Sequence, residues 1–138
     1  MISINVDPAD NLNVDLYFKV LIYLAREDDG RLDEREEEFI RIQANVYSVD
    51  AEKYLNESID KDDLKMMEVS LSRETSLSIV RDAIALGYIN GQFDEKQRIF
   101  LVEHAPNLGL KESDIDAVES WLTDYWAVIE RGSQLLQG

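Results

Sequence analysis

Asp29-Gly30-Arg31-Leu32-Asp33-Glu34-Arg35-Glu36 is answered, 61 residues later, by Asn90-Gly91-Gln92-Phe93-Asp94-Glu95-Lys96-Gln97. Identical residues recur at 30/91, 33/94, 34/95, 39/100 and 44/105, and Leu32/Phe93, Arg35/Lys96, Glu36/Gln97 and Ile40/Leu101 are conservative pairs. Each copy reads as a helical corner. The glycine supplies the left-handed residue that ends one helix at low cost, and the apolar residue two positions on folds back as a plug. The aspartate then N-caps the next helix, and Glu36 or Gln97 closes a capping box three residues later.

The segments around these corners carry helical spacing. Residues 14–25 are apolar nearly all round, as expected of a central helix. Residues 75–88 place Leu77, Val80, Ala83, Ile84 and Gly87 on one side, and the helix that follows stops at Pro106. Between the copies, Asp50 caps a short helix through Tyr54 and Leu55, and Lys61-Asp62-Asp63-Leu64 opens another. Near the end, Ser113 caps a long helix with the core stripe Val118, Trp121, Leu122, Tyr125 and Ile129. Gly132 closes it, leaving residues 133–138 as a frayed tail. The expectation is an all-α, single-domain bundle over residues 1–138, with six to seven helices built on two pseudo-repeated helical hairpins. The repeats fall around 14–49 and 75–110 and the core spans about 14–131.

Composition bounds the function. A chain of 138 residues with 45% hydrophobic side chains can bury a core without staples. Fourteen basic against 29 acidic side chains leave a formal charge of −15, with 18 of the acids in residues 1–69. Such a charge repels nucleic acid phosphates and anionic membrane surfaces, so neither is expected as a partner. The absence of cysteine removes thiolate nucleophiles and sulfur-ligated metals. No apolar run reaches bilayer length and no basic leader precedes one, which points to a cytoplasmic protein.

The string Ala25-x3-Asp29-Gly30-x-Leu32-x3-Glu36-x3-Ile40, placed after an apolar helix and met again in weaker form around Gly91, resembles the TerB-like domains over about residues 14–130. That family takes in tellurite-resistance proteins and the N-terminal region of the DjlA membrane co-chaperone. The resemblance implies an all-helical bundle acting in stress response or phage defence, mostly without catalysis. It also implies that acids of the paired corners hold a divalent cation. Two features depart from it. His104 is followed by Ala105 and not by the Pro-Asp of a J-domain, and Asn90 and Gln97 stand where Asp and Glu are usual.

Four acids of the first corner are therefore the metal candidates: Asp29, Glu36, Glu27 and Asp33, for calcium, magnesium or manganese, since hard cations need several converging oxygens. A regular EF-hand is not formed, because Gly30 at loop position six puts Ala25 at position one, where aspartate is required. The same letters serve a purely structural purpose: glycine stops a helix, Asp33 and Glu36 cap the next, and acids favour its first turn. Glu34, Glu37 and Glu38 interleave with Arg31, Arg35 and Arg41, either as a solvated face or as a surface for a basic protein partner. Trp121 and Tyr125 fall on the core stripe, whereas Trp126 lies off its centre and marks a groove or interface. The leading expectation is a non-catalytic acidic interaction module, with a metal-independent adaptor or acidic decoy as the alternative. A metal-assisted hydrolase using Asp29 and Glu36 is the third reading.

Overall fold

The computed structural model describes residues 11–26, 32–67, 71–89 and 93–138, and among them every regular element is helical. Seven α-helices follow one another: α1 (Asn11–Ala25), α2 (Glu34–Val46), α3 (Ala51–Leu55), α4 (Lys61–Met66), α5 (Arg73–Ile89), α6 (Glu95–His104) and α7 (Glu112–Gln137), with a 3-10 turn over Ala105–Leu108 between the last two. The all-helical expectation holds for these residues.

The apolar run of α1 makes it the axis of the molecule. Leu16, Tyr17, Phe18, Val20, Leu21, Ile22 and Leu24 are buried, and the helix packs most extensively against α5 while also touching α2, α3 and α4. Each large apolar side chain removed from water there contributes roughly 1.5–3 kcal/mol. On α5 the buried residues include Ile79, Val80, Ala83, Ile84 and Leu86, with the small Ser76 and Gly87 among them. Ser76 spends its hydroxyl on the carbonyl of Leu108 at 2.7 Å.

Both predicted capping boxes are present. Asp33 Oδ1 accepts from Glu36 N at 2.8 Å and Glu36 Oε1 accepts from Asp33 N at 2.9 Å. Asp94 and Gln97 do the same at 2.8 and 3.1 Å. Glu36 and Gln97 are equally buried at 4% exposure. The glycines of the two corners, Gly30 and Gly91, lie outside the described residues.

The correspondence at a separation of 61 continues past these caps. Ser48 and Gly109 both take the left-handed conformation, at φ 58° and 71°. Behind them, Val49 N donates to Ala44 O and Leu110 N to Ala105 O, each at 2.9 Å, the bond that closes a helix end around a left-handed residue. Asp50 and Lys111 are the next N-caps. The element that begins after Asp50 has 5 residues, whereas the one after Lys111 has 26.

Three sequence expectations for α7 change. Ser113 lies inside its first turn, because Lys111 is the cap residue, its N–H satisfied by Asp114 Oδ2 at 2.9 Å. Gly132 does not end it: the helix continues to Gln137, as no chain reversal draws the backbone into a left-handed turn. The core stripe is also rotated. Ile115 and Leu122 are buried and Trp126 is half-buried, while Trp121, Tyr125 and Ile129 are exposed.

Candidate functional site

Polar groups placed inside an apolar bundle must find partners or lose one to several kcal/mol each. The most enclosed set joins α1 to α5. Tyr17 donates its hydroxyl to Asp82 Oδ2 at 2.6 Å, and Arg81 Nε donates to Asp82 Oδ1 at 2.8 Å. Burial, reinforced by the Asp82 charge and hydrogen bond, holds the Tyr17 phenol far above its ordinary range, so the proton stays on the tyrosine. Sequence reading passed over this trio. Its signal was the adjacent charges Arg81 and Asp82 inside the apolar run Ile79, Val80, Ala83 and Ile84.

A second buried group is His104, 1% exposed at the end of α6 and stacked on Phe100 with ring centroids 5.7 Å apart. Neither Nδ1 nor Nε2 has a hydrogen-bond partner. Burial, with a smaller contribution from the nearby Lys65, pushes it down to about 4, so the ring is neutral at physiological pH.

Of the corner acids, Asp33 and Glu36 are held to one another by the reciprocal cap, with Glu36 turned into the protein. Gln97 occupies the equivalent position on α6 with an uncharged amide and the same two bonds. The reciprocal cap of Asp33 and Glu36 is thus one that Asp94 and Gln97 also form without a second carboxylate. Glu27 and Asp29 lie outside the described residues. Among the described residues no group of three or more ligand-type side chains is placed to hold a metal ion.

Beside this corner, Arg26 reaches over the end of α3, donating to Leu55 O at 2.6 Å and to Glu57 O at 2.7 Å. It thus supplies donors to terminal carbonyls that the five-residue helix leaves unsatisfied. An open polar depression of about 560 Å³ lies alongside, lined by Arg26, Leu32, Glu37 and residues 55–59.

On the outer face of α2, Glu34 and Glu38 are exposed and make no hydrogen bond or ion pair with any described residue. Glu37 is half-buried near Arg41. Arg41 meets Glu52 of α3. Among the described residues, no helix is long and apolar enough to cross a membrane.

The last surface is the seam of α5 and α7. An apolar groove of about 240 Å³ is walled by Leu77, Ala117, Val118 and Trp121, with the Arg73–Asp114 ion pair at 2.8 Å on its edge. Trp121 stacks on Tyr125 with centroids 5.8 Å apart. Trp126, the aromatic singled out from the sequence, is half-buried with its ring edge-on to Tyr88 at 5.3 Å. Tyr88 in turn donates to Glu119 Oε2 at 2.7 Å.

These features define an acidic chain that is all-helical among the described residues. Compared with models of protein families, with curated proteins and with solved structures, the chain matches none.

Proposed function

We propose that the chain is a non-catalytic, TerB-like helical module that acts by binding a basic protein through the outer face of α2. Its two halves are pseudo-repeated units, each a helix, a capped second helix and a third element, with α4 as the connection. The observation that carries the binding role is the pair of exposed carboxylates Glu34 and Glu38, which have no cation among the described residues in a chain of net charge −15. An uncompensated charge on a rigid helix steers an oppositely charged partner and selects against acidic ones. The TerB-like resemblance adds stress response as the setting. Used without an ion, the same surface serves an adaptor or an acidic decoy.

Proteins from lysate retained at about 0.05 M salt and released at about 0.5 M are the expected readout, because screening weakens a charge-steered complex. Retention must also fall in the Glu34→Lys, Glu38→Lys double variant, and retention unaffected by either change rejects the reading. A divalent cation at the Asp29–Gly30 corner is a separable part of the proposal. Calcium, magnesium or manganese should raise the melting temperature, and Asp29→Ala should abolish the rise, since a ligand of the native state stabilises it. A companion Glu36→Gln variant removes a charge while keeping the cap.

A further inference from the structure

The outward face of α7 carries a pattern that its own fold uses only at the first residue, Val118. Val118, Trp121, Tyr125, Val128, Gly132 and Leu135 follow one another at spacings of 3, 4, 3, 4 and 3, the a/d rhythm of a helix that packs along another helix. Val118 is half-buried, but Trp121 is 51% exposed, Val128 53% and Leu135 82%. Ile129 and Leu136 widen the stripe on one side and are also exposed. Along the other side run Asp124 and Arg131, exposed and without an ion-pair partner among the described residues. The apolar contacts of α7 with its own bundle are made by Ile115, Leu122 and Trp126, with Val118 at the edge, so from Trp121 onward the stripe is a second face.

The stripe is complementary to itself when reversed. If two copies of α7 run antiparallel with the twofold axis between positions 126 and 127, Trp121 meets Gly132 of the second copy. In the same register Tyr125 meets Val128 and Val118 meets Leu135. The largest side chain thus falls on the one position without a Cβ, where the space is open. Asp124 falls beside Arg131 of the second copy, and the symmetry makes this pair twice. Leu135 arrives at the groove walled by Leu77, Ala117, Val118 and Trp121. A parallel pairing instead sets Trp121 on Trp121 and glycine on glycine, leaving a clash and a void.

We infer that α7 is a homodimerisation helix and that its occupant is a second copy of this chain in antiparallel register. The contact is isologous, as a twofold axis requires. From Val118 to Leu135 the helix is about 27 Å long. A single helix pair of that length buries less than the ~1,600 Å² of a standard interface, so dissociation in the micromolar range is expected. The overall charge of each copy opposes association, and salt that screens it should tighten the dimer. That sign is opposite to the one expected for a basic partner on α2, and the two proposals stand or fall separately.

Sedimentation of the full chain from about 1 to about 500 µM, at about 0.05 and 0.5 M salt, is the test. A monomer–dimer equilibrium, stronger at high salt, is expected. Gly132→Leu should weaken it at least about tenfold while leaving the monomer's melting temperature equal or higher, since glycine is a poor helix former. Asp124→Arg should weaken the dimer, and adding Arg131→Asp should restore it. A monomer throughout, a dimer indifferent to Gly132→Leu, or a charge reversal that the second change does not rescue overturns the inference. So does occupation of this face by a basic peptide with no self-association.

Discussion

Tyr17 and Asp82 meet across 2.6 Å at the centre of the α1–α5 packing, both buried, with Arg81 closing the carboxylate from the other side. Here the axial helix is joined to its main neighbour by a directional polar contact between side chains. Removing one partner leaves the other desolvated. Tyr17→Phe should therefore cost about 1–3 kcal/mol in chemical denaturation. Asp82→Ala should cost more than Asp82→Asn, because it removes the acceptor of the tyrosine hydroxyl and of Arg81 Nε. Loss of less than half a kcal/mol for Tyr17→Phe would show that the contact is replaceable by water.

His104 ties stability to pH. Its ordinary value is 6.5 and burial lowers it to about 4 in the folded chain, so the unfolded state takes up the proton first. Its contribution is complete above pH 6.5 and is lost as pH falls from 6.5 to 4. The full difference is about 3 kcal/mol. Denaturation midpoints at pH 7 and pH 4.5 should diverge in the native protein, and His104→Leu should reduce the divergence.

Glu36 and Gln97 offer a direct comparison of charge with hydrogen bonding. Glu36→Gln should leave stability within about 0.5 kcal/mol, as Gln97 performs the same task with an amide. Asp33→Ala or Asp94→Ala, by contrast, should each cost about 0.5–2 kcal/mol. A large loss on Glu36→Gln, read by melting temperature without added metal, would mean that the charge does more than cap.

Two helix ends that lie 61 residues apart differ in quality. Ser48 holds φ 58°, where a Cβ is strained, while its counterpart position has Gly109 at 71°. Ser48→Gly should stabilise by roughly 0.5–1 kcal/mol and Gly109→Ala should destabilise by about as much. Melting temperatures of the two variants, moving in opposite directions, are the check.

Gly87 is held for space and not for backbone freedom. A Cβ there would approach Phe93 Cδ1 at 2.9 Å and Gln97 Oε1 at 3.1 Å. Gly87→Ala should therefore lower the melting temperature despite the roughly 1 kcal/mol that alanine gains in a helix interior. An increase would show that Phe93 moves aside without cost.

Much of the local structure was legible because it depends on near neighbours. Asp33 with Glu36 and Asp94 with Gln97 cap helices through bonds spanning three residues, and the apolar run of α1 announces a buried helix whatever it packs against. The same spacing logic misplaced the α7 stripe by rotating it towards Trp121 and Tyr125. Two apolar lines at helical spacing share that helix. Gly132 misled for a related reason, since glycine permits a stop but does not impose one.

The Tyr17–Asp82–Arg81 contact, the isolation of His104 and the groove beside Trp121 belong to another level. Tyr17 and Asp82 lie 65 residues apart, and no periodicity links them. Sequence determined which segments are helical, where α2 and α6 begin, and the excess of negative charge, because each follows from short-range bonding or from a sum over side chains. Which face of α7 is buried, and therefore which is left for a partner, was decided by how the assembled α5 and α6 present their surfaces to it. Burial is a property of the packed ensemble of helices, and a single helix carries no record of it when two of its faces are apolar.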